Sequence, residues 1–155
     1  MKQIFAITAF LMLGSFAQAH GGHDSHAPMA HLTFANGAIH AHATWESAPE
    51  VASESILKIE WKNGADHSPV EPPGTFNVVL WMPSMGHGSA PTRIEPLLDA
   101  QGTAIVGSYE VSNVYFVMGG DWDVNVTLTY KDGTRETQTI QINFPDDNGG
   151  HHGHH

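Results

Sequence analysis

From Trp122 to Tyr130 the chain alternates without a break, with Trp122, Val124, Val126, Leu128 and Tyr130 on one face and Asp123, Asn125, Thr127 and Thr129 on the other. A period of two is the mark of a half-buried strand. Lys131-Asp132-Gly133 then turns the chain back through Thr134 to Phe144, which makes a hairpin. The same rhythm recurs upstream. Leu57, Ile59 and Trp61 alternate with Lys58 and Glu60, and Phe76, Val78, Leu80 and Met82 fall in step on one side of a further strand. No segment carries the i, i+3, i+4, i+7 spacing of an amphipathic helix. The expected fold is therefore all-β, an immunoglobulin-like (cupredoxin-like) antiparallel β-sandwich of about seven strands.

The remaining elements follow from turn residues. Asn36-Gly37 supplies the positive φ angles of a tight two-residue turn, which makes Leu32–Ala35 and Ala38–Trp45 a second hairpin. On it Ile39, Ala41, Ala43 and Trp45 face inward, leaving His40, His42 and Thr44 on the solvent side. Residues two apart on a strand are about 6.6 Å apart along the chain, so the two rings are also within reach of one ion. Ser47–Ser53 reads as a connection, and Ala65–Gly74, with Pro69, Pro72 and Pro73, as an ordered loop. Pro91–Leu98 reads as a short strand interrupted at Pro96, and Tyr109–Met118 as a strand, while Ala104–Val106 is too short to assign.

The chain opens with Lys2, an apolar run from Ile4 to Phe16, and then Ala17-Gln18-Ala19, the small-x-small pattern a signal peptidase cleaves. The run falls short of the ~20 residues of a membrane span. The expectation is an exported, periplasmic product without a membrane span, divided as a signal peptide over 1–19, a histidine-rich arm over 20–31, a sandwich over 32–144 and a histidine- and glycine-rich tail over 145–155. The mature part has the size of a single domain. Sixteen acidic residues against six basic ones argue against nucleic acid and anionic lipid as partners, both of which reward clustered Lys and Arg. Such a balance suits cations.

The chemistry concentrates in Trp81-Met82-Pro83-Ser84-Met85-Gly86-His87-Gly88. Gly86, Gly88 and Ser89 cannot build a core around Met85 and His87, so the thioether and the imidazole are explained better by what they bind. Thioether sulfur is soft and cannot be lost to protonation, and with histidine it favours Cu(I) over harder ions. Met118, followed by Gly119 and Gly120, is a third sulfur where a strand gives way to a turn. Met82 is a possible fourth ligand, although its step with Phe76, Val78 and Leu80 suits it equally to the core. The chain has no cysteine, which is compatible with soft-metal chemistry in an oxidising compartment and disfavours a blue-copper centre, which needs one.

In the arm, His20 and His23 are candidate ligands for Cu(II) or another divalent ion. His20, once cleavage exposes its amine, could form a histidine brace. Trp81 or Trp122 could shield a bound ion through an indole face, or both could be core.

Met82-Pro-Ser-Met85-Gly-His87, then Gly107-Ser-Tyr109, then Phe116-Val-Met118-Gly-Gly-Asp-Trp122-Asp-Val124 resembles the series found in YtkA-like and FixH-like domains. The likeness spans roughly Leu57 to Phe144. It implies a small exported or membrane-tethered β-sandwich associated with copper handling and oxidase assembly. The chain departs from that pattern by an extra residue in Met118–Trp122, by His87 and by its histidine-rich ends.

The expected function is that of a periplasmic Cu(I) chaperone or buffer rather than an enzyme, exchanging copper with a delivering or accepting envelope protein. Two other readings are a copper mono-oxygenase with a histidine brace at His20, and an interaction module with no specific metal.

Overall fold

The computed structural model describes residues 29–145 and is built from antiparallel strands. They are β1 (Met29–Phe34), β2 (Ile39–Ser47), β3 (Glu54–Asn63), β4 (Gly74–Met82), β5 (His87–Gly88), β6 (Arg93–Leu98), β7 (Ala104–Tyr115), β8 (Gly120–Tyr130) and β9 (Arg135–Phe144). Five form one sheet in the order β1-β2-β3-β7-β6, and four form the other as β5-β4-β8-β9. The expected all-β sandwich is what the chain adopts. The signal peptide, His20, His23 and the tail beyond Pro145 lie outside the described residues.

Alternation decides which face each strand buries. Val78, Leu80 and Met82 of β4 meet Trp122, Val124, Val126 and Leu128 of β8 inside, together with Leu57, Ile59 and Trp61 of β3 from the other sheet. Aromatic side chains gather at the two ends of this core. At one end Phe116 packs with its ring centroid 5.7 Å from Trp122, 5.0 Å from Phe144 and 6.1 Å from Trp45. Toward the other, Trp61 lies 5.3 Å from Phe34 and 5.1 Å from Phe76, which in turn meets Tyr109. Tilted and edge-on pairs of this kind contribute about 0.5–1.5 kcal/mol each beyond the area they bury.

Several boundaries differ from those the sequence suggests. β1 begins at Met29, so Met29, Ala30 and His31 belong to the sheet rather than to the arm; Ala30 packs on the core in step with Leu32 and Phe34. The Asn36-Gly37 turn is longer than two residues, because Ala35, Asn36 and Gly37 all take positive φ before Phe34 pairs with Ile39. Ala104–Val106 joins the following run in a single strand, β7, bending at Gly107. There φ is +68°, and a Cβ would stand 2.3 Å from the Val70 carbonyl oxygen. Tyr109 does not extend as a strand to Met118; β7 stops at Tyr115.

The proline-rich loop between β3 and β4 is pinned to β7 by Glu71, whose carboxylate accepts from the Gly107 N–H at 3.0 Å and from the Tyr109 hydroxyl. Burial, reinforced by the Glu71 carboxylate, pushes the Tyr109 phenol up to about 12 from an ordinary value near 10. A pKa raised on folding means the neutral phenol is favoured in the native state. Its stabilisation is complete below about pH 10 and is lost as pH rises toward the folded value. Tyr109→Phe should therefore flatten the fall of stability between about pH 10 and 12, read as denaturant midpoints across that window, while tyrosinate absorbance in the parent should titrate late for Tyr109 and Tyr130, both raised by burial.

Candidate metal centre

The register of β4 against β8 runs from Gly74 opposite Tyr130 to Trp81 opposite Asp123. The end of β4 thus lies beside the start of β8. Two connections consequently leave the sandwich together, the turn from Met82 to His87 and the crossover from Phe116 to Gly120. They carry the three sulfurs and the imidazole singled out from the sequence.

In the first turn Pro83 fixes φ and has no N–H to satisfy. The Met82 carbonyl accepts from both Met85 N–H at 3.2 Å and Gly86 N–H at 2.9 Å. Gly86 at φ +64° then sends the chain back so that His87 pairs with Met82. The side chains separate by depth. Met82 is 2% exposed and belongs to the core, whereas Met85 is 60% exposed at the tip. His87 is half-buried, its ring edge-on to Trp122 with centroids 6.1 Å apart. His87 Nδ1 lies 3.2 Å from the Gly88 carbonyl, which can only accept, so Nδ1 carries the proton of the neutral ring. Nε2 is left as the lone pair available to an ion.

Met118 stands in the second connection, 38% exposed, and its carbonyl accepts the Trp122 indole N–H at 3.0 Å. Trp122 is fully buried and touches both connections, the first through the His87 ring and the second through the Met118 backbone carbonyl. Met82 reaches the same place from below. A Cβ on Gly120, where φ is +113°, would stand 2.7 Å from the Met82 methyl carbon.

Of the two tryptophans expected to be either shield or core, Trp122 is core and Trp81 is not. Trp81 falls on the outward phase of β4, beside Val79, and is 40% exposed. Next to the turn, Pro83 and Ser84 border a concavity of about 510 Å³ with Asp121, Asp123 and Asn143 on its far wall. Its carboxylates favour the approach of cations.

The structure also adds two imidazoles to the His40 and His42 pair that strand alternation placed within reach of one ion. His31, placed in the arm by sequence, and His67, in the proline-rich loop, join His40 and His42 on the outer face of the five-stranded sheet. His40 and His42 are on the solvent side, as their alternation with buried Ala41 and Ala43 implies. Only the pairing of β1 with β2, which sets His31 opposite His42, reveals the cluster.

Gly120→Ala should cost roughly 1–3 kcal/mol, as a side chain forced into a φ region reserved for glycine and into the Met82 methyl. Gly119→Ala, where φ is not positive, should cost clearly less. Urea midpoints compare the two, and equal losses would show that the approach to Met82 does not matter.

Compared with family models, with curated proteins and with solved structures, the chain matches none.

Proposed function

We propose that this domain is a copper-binding protein of the bacterial envelope, holding one Cu(I) through Met85 sulfur, Met118 sulfur and His87 Nε2. The observation that carries this reading is that buried Trp122 joins the turn bearing Met85 and His87 to the connection bearing Met118, packing edge-on against the His87 ring and donating to the Met118 backbone carbonyl. Two thioethers and one neutral imidazole make a soft, uncharged donor set, which suits Cu(I) rather than a hard divalent ion. Met82 forms the floor of the site as part of the core. The role is that of a chaperone or buffer rather than an enzyme. Exposed sulfurs can be displaced from copper one at a time by incoming ligands, which suits exchange of the ion with a delivering or accepting envelope protein. The signal-like leader and the resemblance of the turns to YtkA-like and FixH-like domains support the same assignment.

Met85→Leu and Met118→Leu should each weaken Cu(I) binding by at least the roughly 10- to 100-fold seen when a ligand's supporting partner is lost. Both positions are exposed, so stability should stay within about 0.5 kcal/mol. The measurement is competition with a chromophoric Cu(I) chelator, with a thermal melt of each apo variant. Parental affinity in both variants would move the site away from these sulfurs.

Met82→Leu should behave in the opposite way. Being a buried swap of similar volume, it should cost up to about 1.5 kcal/mol and change Cu(I) affinity little. A large affinity loss with normal melting would instead make Met82 a fourth ligand.

A further inference from the structure

The imidazole cluster on the five-stranded sheet lies on a different sheet from the Met85 turn, near Trp61 rather than Trp122. Its members are brought together by strand pairing. His31 of β1 is directly opposite His42 of β2, and His40 lies two residues before His42 on the same face. The His31 ring centroid is 4.6 Å from that of His40 and 4.7 Å from that of His42, both edge-to-face. His67 comes from the loop after β3, with its centroid 5.6 Å from that of His40. The core does not need them, because it is built on the opposite face by Leu32, Ala41 and Ala43.

Hydrogen bonding fixes one of the protons. His40 Nε2 is 3.1 Å from the Gly37 carbonyl, an acceptor only, so the neutral ring carries its hydrogen there and Nδ1 is a bare lone pair. That lone pair faces His31 Nε2 at 2.8 Å. A backbone carbonyl holding the far N–H of an imidazole is the support that metal-ligating histidines ordinarily have. Two nitrogens bound to a tetrahedral divalent ion at about 2.0–2.1 Å would stand about 3.3 Å apart. Opening the pair by about half an ångström would admit one.

His42 and His67 complete the surroundings. His42 stands opposite His31 across the β1–β2 pair, with ring centroids 4.7 Å apart. His67 has φ +58°, rare for a residue other than glycine. That conformation is held by its N–H to the Asn63 carbonyl at 2.9 Å and by the Asp66 carboxylate, which accepts from both N–H and hydroxyl of Ser68. Among the described residues no three histidine or carboxylate groups already close around one point. His31 and His67 are exposed, so their rings are free to rotate into a shell.

We propose that His31, His40 and His42, with His67 at the open side, bind a divalent cation of the Zn(II) and Cu(II) class, at a site independent of the thioether centre. Imidazole suits both ions. Binding requires His31 to carry its proton on Nδ1, so that Nε2 joins His40 Nδ1 as a donor.

The test uses the full chain with every histidine before Met29 and after Pro145 replaced by alanine. Zn(II) titration calorimetry and Cu(II) electron paramagnetic resonance should show one bound equivalent with nitrogen coordination. His40→Gln and His42→Gln should each weaken Zn(II) by at least about tenfold, and the metal-induced rise in melting temperature should vanish with them. His67→Asn, which keeps a residue tolerant of positive φ, should also weaken Zn(II) while melting as the parent does without metal. Met85→Leu and Met118→Leu should leave Zn(II) binding unchanged, which keeps failure of this site distinct from failure of the thioether site. Absence of Zn(II) and Cu(II) binding in the arm-substituted chain, or parental affinity in the His40 and His42 variants, would overturn the proposal.

Discussion

The pairing of β4 with β8 is the constraint on which the candidate site depends. Because Trp81 stands opposite Asp123, the turn after β4 and the connection before β8 must emerge side by side. Trp122 then couples them. Burying a large apolar side chain contributes about 1.5–3 kcal/mol or more, while a single hydrogen bond contributes about 0.5–1.5 kcal/mol net. Burial therefore holds the indole in place, and its N–H to the Met118 carbonyl anchors the backbone that carries the exposed thioether. The soft donors rest on a part of the core that cannot shift without disturbing Phe116 and Phe144 as well.

Much of this was legible in the sequence, for reasons that can be named. The β8–β9 hairpin was readable because its alternation is uninterrupted and its turn carries Asp132-Gly133. Met82 was ambiguous only because a methionine suits both core and ligand roles; its phase with Val78 and Leu80 placed it inside. The same phase would have put Trp81 outside, since odd and even positions of one strand cannot share a face. The convergence of the two turns rests on a register between strands separated by three others along the chain, which local pattern does not encode.

The imidazole cluster marks where local reading fails. Its residues come from three places in the chain, and strand alternation pairs only His40 with His42, leaving His31 and His67 to look like ordinary solvated histidines. His31 was misplaced because a run of glycine, histidine and alanine before it hides the start of the strand. Cross-strand pairing is a tertiary fact, and with it a surface alternation becomes a group of rings in contact.

β5 has only two residues, so it covers the free edge of β4 at Trp81 and Met82 alone. The chain beyond it continues the covering without forming a strand. Ser89 N–H donates to the Leu80 carbonyl at 3.3 Å, the Thr92 hydroxyl donates to the Val78 carbonyl at 2.7 Å, and Pro91 between them has no N–H to offer. An uncovered edge is a template for another chain, and an apolar one beside Val79 and Trp81 would be especially adhesive. With those carbonyls occupied, the upper part of this edge is closed to strand addition, so a visiting protein would meet the turn through its side chains rather than by extending the sheet.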